Sequence, residues 1–177
     1  MELKEYFSTH WINGRTKTAL EEFTYTGMNL LEKVKDGEQI LDVGCGTNLF
    51  KPFFGDDIYG IDITDIGSDE QISIEEFKTD KKYDVIFALG SINFGDEDNI
   101  VNQITCMDKL LKPNGRIYWR CNPGQRDHKN EFVNNVDFFP WSLEYHQKFS
   151  EMFNYVILDY ALDGIKKNRI YAEWQKI

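Results

Sequence analysis

The sequence is poor in the features that build stapled or membrane-embedded proteins. It holds three cysteines, Cys45, Cys106 and Cys121. An odd number with no CxxC spacing leaves neither a disulfide framework nor a zinc knuckle to expect, and no metal site is predicted. That usage points to a reducing compartment, and the cytoplasm is the expected location. No apolar run approaches the roughly 20 residues of a bilayer span, and residues 2–10 carry acidic and polar side chains. Positive charge is also scarce. Twenty Lys and Arg face 30 Asp and Glu, a formal net charge of -10, so the mean field repels polyanions and nucleic-acid binding is disfavoured. The densest basic cluster, Lys166, Lys167 and Arg169, fits a solvated hairpin turn or a phosphate contact.

What the chain does have is apolar surface: 41% hydrophobic and 15% aromatic residues in 177, enough for one domain over 1–177 that folds without covalent staples. Leu20, Phe23, Leu30, Leu31 and Val34 share a helical face, predicting a helix over 16–35 at the end of an N-terminal helical segment of about 1–36. Short buried strands are predicted at 39–43, 58–63 and 83–89 and a short helix at 49–54. Residues 65–82 read as an edge strand or an irregular crossover. Asp96, Glu97 and Asp98 open a helix whose buried stripe is Ile100, Ile104, Met107, Leu110 and Leu111, and Lys112-Pro113-Asn114-Gly115 ends it. A strand at 116–120 leads into a long loop, 121–140. Ser142 caps a helix to about Phe153, with Tyr145, Phe149, Met152 and Phe153 facing inward. Strands at 155–162 and 169–175 close the chain as an antiparallel hairpin. Alternating strands and helices before that hairpin predict an α/β fold, a mostly parallel sheet covered on both faces.

The chemistry concentrates at Asp42-Val43-Gly44-Cys45-Gly46-Thr47-Asn48, where the first strand meets a helix. Glycines there let the backbone turn sharply and approach a ligand. A lone GxG is weak, but Tyr59-Gly60-Ile61-Asp62 follows as a second strand ending in a carboxylate, at the separation used to grip ribose hydroxyls. A nicotinamide-binding domain shares both features; its fingerprint wants a third glycine where this chain has Leu49.

Over nearly its whole length the sequence resembles the class I S-adenosylmethionine-dependent methyltransferases. Asp42, Gly44 and Gly46 match the acidic and glycine positions of the family's (D/E)xGxGxG motif, and Asn48 stands at its last glycine. Asn tolerates positive φ better than other non-glycine residues. Tyr83-Asp84-Val85-Ile86 matches the strand-four signature, and Lys112-Pro113-Asn114-Gly115 matches the turn before strand five. The resemblance implies a three-layer Rossmann-like fold with a seven-stranded sheet of order 3-2-1-4-5-7-6. It implies S-adenosyl-L-methionine as cofactor, with S-adenosyl-L-homocysteine as product. The cofactor-binding residues it implies are Asp42, Gly44, Cys45, Gly46, Asn48, Asp62, Ile63, Leu89, Gly90 and Ser91, with Asp62 on the ribose and Asp42 organising the methionine ammonium. Asn93 also follows strand four, and Glu75, Glu76 and Phe77 fall near the expected adenine pocket.

Methyl transfer is an in-line displacement, so alignment and water exclusion carry most of it. A base is needed only if the acceptor must lose a proton; the candidates are His10, His128 and His146, with His128 in the long loop. Tyr6, Phe7 and Trp11, with His10 and Arg15, form either a lid or simple helix packing, and Arg15 is a conceivable partner for the cofactor carboxylate. The (D/N/S)PP(Y/F/W) signature of nucleic-acid aminomethylases is absent, as is a Pro-Cys nucleophile. A small-molecule acceptor is therefore expected, in a pocket completed by 121–140 with Trp141. The alternatives are a peptide or protein acceptor, or a non-catalytic module that only binds. The sequence sets no oligomeric state, and a monomer is compatible with it.

Overall fold

The computed structural model of the chain describes residues 2–11, 27–123, 136–162 and 169–177. A seven-stranded sheet runs in the order β3-β2-β1-β4-β5-β7-β6. It is built from β1 (Ile40–Val43), β2 (Ile58–Asp62), β3 (Glu70–Gln71), β4 (Tyr83–Leu89), β5 (Leu111–Cys121), β6 (Tyr155–Leu162) and β7 (Ile170–Lys176). The first five strands are parallel; β7 enters antiparallel between β5 and β6. This is the predicted order, and it follows from burial. β1 is buried at every residue, as a central strand covered on both faces must be.

Side chains alternate across the pleat. Leu41 and Val43 of β1 join Ile86 of β4 and Trp119 of β5 in one apolar layer, covered by α3 (Glu97–Leu110) through Ile100, Ile104 and Met107. Ile40, Val85, Phe87 and Tyr118 face the opposite way, onto Leu30 and onto Phe50 at the start of α2 (Lys51–Phe54). Each fully buried aliphatic or aromatic side chain contributes about 1.5–3 kcal/mol of burial. Asp96 caps α3 in a reciprocal box with Asn99, so the acidic run sets the helix start by a specific bond as well as by charge.

Several boundaries differ from the sequence reading. Of the helix expected over 16–35, residues 16–26 lie outside the described region, and the rest forms a 3-10 helix, Met28–Glu32. Residues 65–82 contribute only the two-residue edge strand β3. α3 ends at Leu110 and β5 begins at once; Lys112-Pro113-Asn114-Gly115 interrupts the strand instead of ending the helix, and the β4–β5 register shifts across it, from Tyr83 opposite Leu111 to Val85 opposite Arg116. Asn114 takes the left-handed conformation there, φ 60°. In α4 (Leu143–Met152), capped by Ser142 as expected, Met152 is 52% exposed while His146 is fully buried. Hydropathy had assigned the inward place to the methionine. Leu3–Glu5 forms a short helix, α1, that continues as a π-helical turn over Tyr6–Trp11.

Candidate active site

Parallel strands leave the C-terminal ends of β1 and β4 beside each other at the point where the chain's direction of winding reverses, and such crevices are where open α/β sheets bind ligands. A cavity of about 280 Å³ opens there. Its floor begins with the turn after β1. Gly44 and Cys45 both donate their amides to the Ile61 carbonyl at the end of β2, at 2.8 and 3.1 Å. Gly44 has φ 73°, and a Cβ at that position would lie 2.2 Å from the Ser91 Cβ. Ser91 donates its hydroxyl to the Val43 carbonyl, tying the end of β4 to the end of β1. No residue but glycine allows that approach.

The second strand contributes Asp62, whose carboxylate is already engaged. Its Oδ2 accepts from the Gly46 amide at 2.9 Å, and its Oδ1 accepts from the amide and hydroxyl of Thr64 at 2.8 and 2.6 Å. A carboxylate offers about four acceptor positions, so one remains, on Oδ2.

Asp42 is different. Its side chain is 3% exposed and borders the cavity, yet no hydrogen bond or ion pair to it is found among the described residues. Burial, and secondarily the Asp62 charge, push its carboxyl up to about 7. An uncompensated buried carboxylate is costly, and a cation placed in the cavity would relieve it. The Cys45 thiol is pushed up by burial and by Asp42, Asp62 and Asp69, so it stays protonated and inert.

Among the ten expected cofactor residues, Asp42, Gly44, Cys45, Gly46, Asp62, Ile63, Leu89, Gly90 and Ser91 border the cavity, and Asn48 does not. Asn48 has φ 55° and turns its side chain outward, donating to the Gly67 carbonyl at 3.2 Å and to Asp69 at 3.3 Å. It shapes the loop from behind. Asn93 also stands back, accepting the Asn122 amide at 3.0 Å. Glu75 borders the cavity, whereas Glu76 and Phe77 do not; Phe77 stacks on Tyr59 at 6.0 Å.

Phe7 and Leu3 reach the cavity, and Tyr6 packs with Phe94 and Val136 beside it. His146 is far from this chemistry, sealed among Trp119, Trp141 and Trp174 with its pKa pushed down to about 3 by burial. It is not available as a base. His128, Arg15, Lys166 and Lys167 lie outside the described residues, as does the side chain of His10. Trp141 is fully buried behind the site, its indole donating to the Ile92 carbonyl at 2.8 Å. Among the described residues no helix is long and apolar enough to cross a membrane.

Sequence reasoning did not assign four residues to the site. Gly60 is needed because a Cβ there would meet the Cys45 Sγ at 2.8 Å and the Asn48 Oδ1 at 3.0 Å. Gln103, on α3, borders the cavity and donates to Glu75 at 2.8 Å, and its buried Oε1 has no partner among the described residues. Arg120 and Arg169 border it from β5 and the start of β7. A β2 glycine two residues before the acid was a visible signal; nothing in the sequence marked Gln103.

No family model and no curated protein matches the chain. Solved structures do. The chain is similar to the 1,6-didemethyltoxoflavin-N1-methyltransferase of Burkholderia thailandensis, solved with 1,6-didemethyltoxoflavin and S-adenosylhomocysteine (TM-score 0.73, 12% identity, 98% of this chain and 87% of that one). It is also similar to the magnesium protoporphyrin IX methyltransferase of Synechocystis with bound S-adenosylmethionine (TM-score 0.69, 12% identity, 99% and 95%). A third is the N-methyltransferase NodS of Bradyrhizobium japonicum in complex with S-adenosylhomocysteine (TM-score 0.65, 14% identity, 94% and 91%). The fold is that of the class I methyltransferases.

Proposed function

We propose that the protein is an S-adenosylmethionine-dependent methyltransferase acting on a small-molecule acceptor. The observation that carries this reading is the Asp42 carboxylate, buried without a partner on the same cavity that Asp62 and the Gly44–Gly46 turn border. A cationic ligand with a vicinal diol fits that set of groups. Asp42 would hold the methionine ammonium, and its proton would leave as the cation arrives. Asp62 keeps one acceptor position and would bind one ribose hydroxyl, since Gly46 and Thr64 take the others. The Gln103 Oε1, aligned by Glu75, offers an acceptor to an exocyclic amine on the β3 side.

Bound there, S-adenosylmethionine supplies a methyl group activated by a sulfonium for in-line displacement. The residues of the chain act by position: Gly90 leaves the end of β4 open, and Phe7 and Leu3 help keep water from the cavity. The three solved neighbours are named for methylating small molecules or bind this cofactor or its product, which supports the reading.

Calorimetry with S-adenosylmethionine and S-adenosylhomocysteine tests it. Both should bind, and Asp62→Ala should weaken binding about tenfold or more, the loss of a charge-assisted hydrogen bond plus a loosened loop. Unchanged affinity in that variant would sink the assignment, and binding of neither compound would sink the function.

A further inference from the structure

Two side chains of opposite charge type border the cavity without partners, and the sheet holds them apart. Asp42 on β1 is the first. Arg120, near the end of β5, is the second. Its Nε is sealed from water with no hydrogen-bond partner, and among the described residues no carboxylate forms an ion pair with it. Arg169 also borders the cavity but has interactions of its own within the chain, so the assignment rests on Arg120.

Residues two apart on a strand share a face. Ile40, Phe87 and Tyr118 point onto one face of the sheet, so Asp42, Leu89 and Arg120, each two positions further along β1, β4 and β5, point the same way. The ladders fix the spacing. Asp42 stands opposite Phe87 on β4, and Arg120 stands opposite Leu89. With strands about 4.8 Å apart and about 3.3 Å of rise per residue, the Cα atoms of Asp42 and Arg120 are about 12 Å from each other. The arginine side chain crosses part of that gap. Its Nη1 lies 3.6 Å from where a Cβ on Gly90 would stand, and the next residue, Ser91, bonds to the Val43 carbonyl beside Asp42. Carboxyl and guanidinium still form no ion pair, and the charge that Asp42 feels is that of Asp62, not of Arg120. Opposite charges that share a cavity attract strongly at low dielectric. Two that stay apart, each short of a counter-charge, fit a ligand that brings both signs at once. That is the chemistry of an α-amino acid head, whose ammonium and carboxylate sit on one carbon.

We infer that Arg120 binds the α-carboxylate of the cofactor while Asp42 takes its ammonium, the two forming a clamp for a zwitterionic amino acid head across the end of β4. The inference rests on the methyltransferase reading for the identity of that ligand. A planar guanidinium offers a carboxylate two parallel bonds, so the clamp fixes the orientation of the head as well as matching its charge. It also makes the site selective. A nucleoside without the head, or with the amine alone, leaves Arg120 unpaired, and a nucleotide sets its phosphates beside Asp42.

The test uses three compounds that share the nucleoside and its sulfur: S-adenosylhomocysteine, its decarboxylated analogue, which keeps the amine, and methylthioadenosine, which has neither group. Calorimetry on the wild type should rank them in that order, with about tenfold or more between the first two. Arg120→Gln should weaken S-adenosylhomocysteine about tenfold and leave the other two within about twofold of wild type, so that the carboxylate no longer helps. Arg120→Lys should keep part of its advantage. Methylthioadenosine reports whether a variant retains a folded nucleoside site, and the wild-type ranking tests the clamp without any substitution. Equal wild-type affinity for S-adenosylhomocysteine and its decarboxylated analogue would overturn the proposal while leaving the cofactor reading in place. So would a loss in Arg120→Gln that falls equally on all three compounds, since that is a damaged loop and not a missing carboxylate contact. A wild type that binds none of the three overturns the methyltransferase reading and takes this assignment with it.

Discussion

Two buried titratable groups, Asp42 and His146, lack partners among the described residues, and their surroundings give them opposite meanings. His146 is walled by rings: Trp141 at 4.7 Å, Trp174 at 5.5 Å edge-on, and Tyr160 and Trp119 at 5.6 and 6.0 Å. Neither ring nitrogen has a hydrogen bond, so the imidazole serves as one more aromatic plate in a dry cluster and stays neutral. Asp42 is nearly as deeply buried, but it borders a cavity, beside Gly44, where a Cβ would collide with Ser91. A buried polar group that faces packed rings is structure; one that borders a cavity can be met by a ligand's counter-charge, which is the role proposed for Asp42.

The sharpest way to separate the two regions is to damage each. Trp119 sits at the centre of the aromatic cluster, 4.6 Å from Trp174 and 5.4 Å from Trp141. Trp119→Ala should lower unfolding free energy by about 3–5 kcal/mol, the usual cost of a large buried aromatic, measured by urea denaturation. Gly44→Ala acts at the other end. The new Cβ would meet Ser91 and adopt a left-handed backbone, so strain and overpacking should cost about 2–4 kcal/mol. Gly44→Ala should also abolish S-adenosylhomocysteine binding in the fraction that remains folded, whereas Trp119→Ala should leave its affinity within about threefold. Equal binding losses in both would erase the distinction.

The same contrast governs what the sequence disclosed. Strands β1, β2 and β4 and the terminal hairpin were legible because short apolar runs and glycine turns have local causes, whereas the sheet order was implied by the family resemblance. The glycine loop and Asp62 were legible for the same reason. Asn48 was not: positive φ could be read from its residue type, but its side chain turns to Gly67 and Asp69, partners about twenty positions away that only the folded loop brings near. Arg169 fitted a solvated turn or a phosphate contact; it precedes β7, whose antiparallel pairing with β5 brings it to the border of the cavity. His146 was weighed as a base and Met152 as core because hydropathy ranks them that way; the helix phase set by the Ser142 cap reverses it.

Protonation offers a finer test, first at Asp42. The folded protein holds this carboxyl protonated up to about pH 7, while the unfolded chain releases the proton near its ordinary value. A folded state that binds the extra proton gains stability fully present below about pH 4, and loses it as pH rises through 7. About 1.36 kcal/mol per pH unit over that window gives up to about 4 kcal/mol, from which the buried amide of an Asn replacement takes back 1–2. Asp42→Asn should therefore melt higher than wild type at pH 8, by about 2 kcal/mol, and bind S-adenosylmethionine less well. A variant destabilised at pH 8 would mean that Asp42 has a cationic partner within the folded chain.

His146 runs the other way. Burial depresses its pKa to about 3, so the unfolded chain gains a proton below about pH 6.5 that the folded state refuses. The neutral ring's contribution is complete above that pH and is lost as pH falls toward 3, about 2 kcal/mol by pH 5. Between pH 4 and 6.5 the two groups oppose each other, and wild-type stability should owe little net slope to the pair. Replacing either exposes the other: Asp42→Asn should gain stability with rising pH relative to wild type, and His146→Leu should gain it with falling pH. At pH 8 the His146→Leu change should be within about 0.5 kcal/mol of wild type, since an apolar side chain of similar volume replaces a ring without hydrogen bonds. A large loss at pH 8 together with weakened S-adenosylhomocysteine binding would show that the aromatic cluster supports the site, and that the two regions are one.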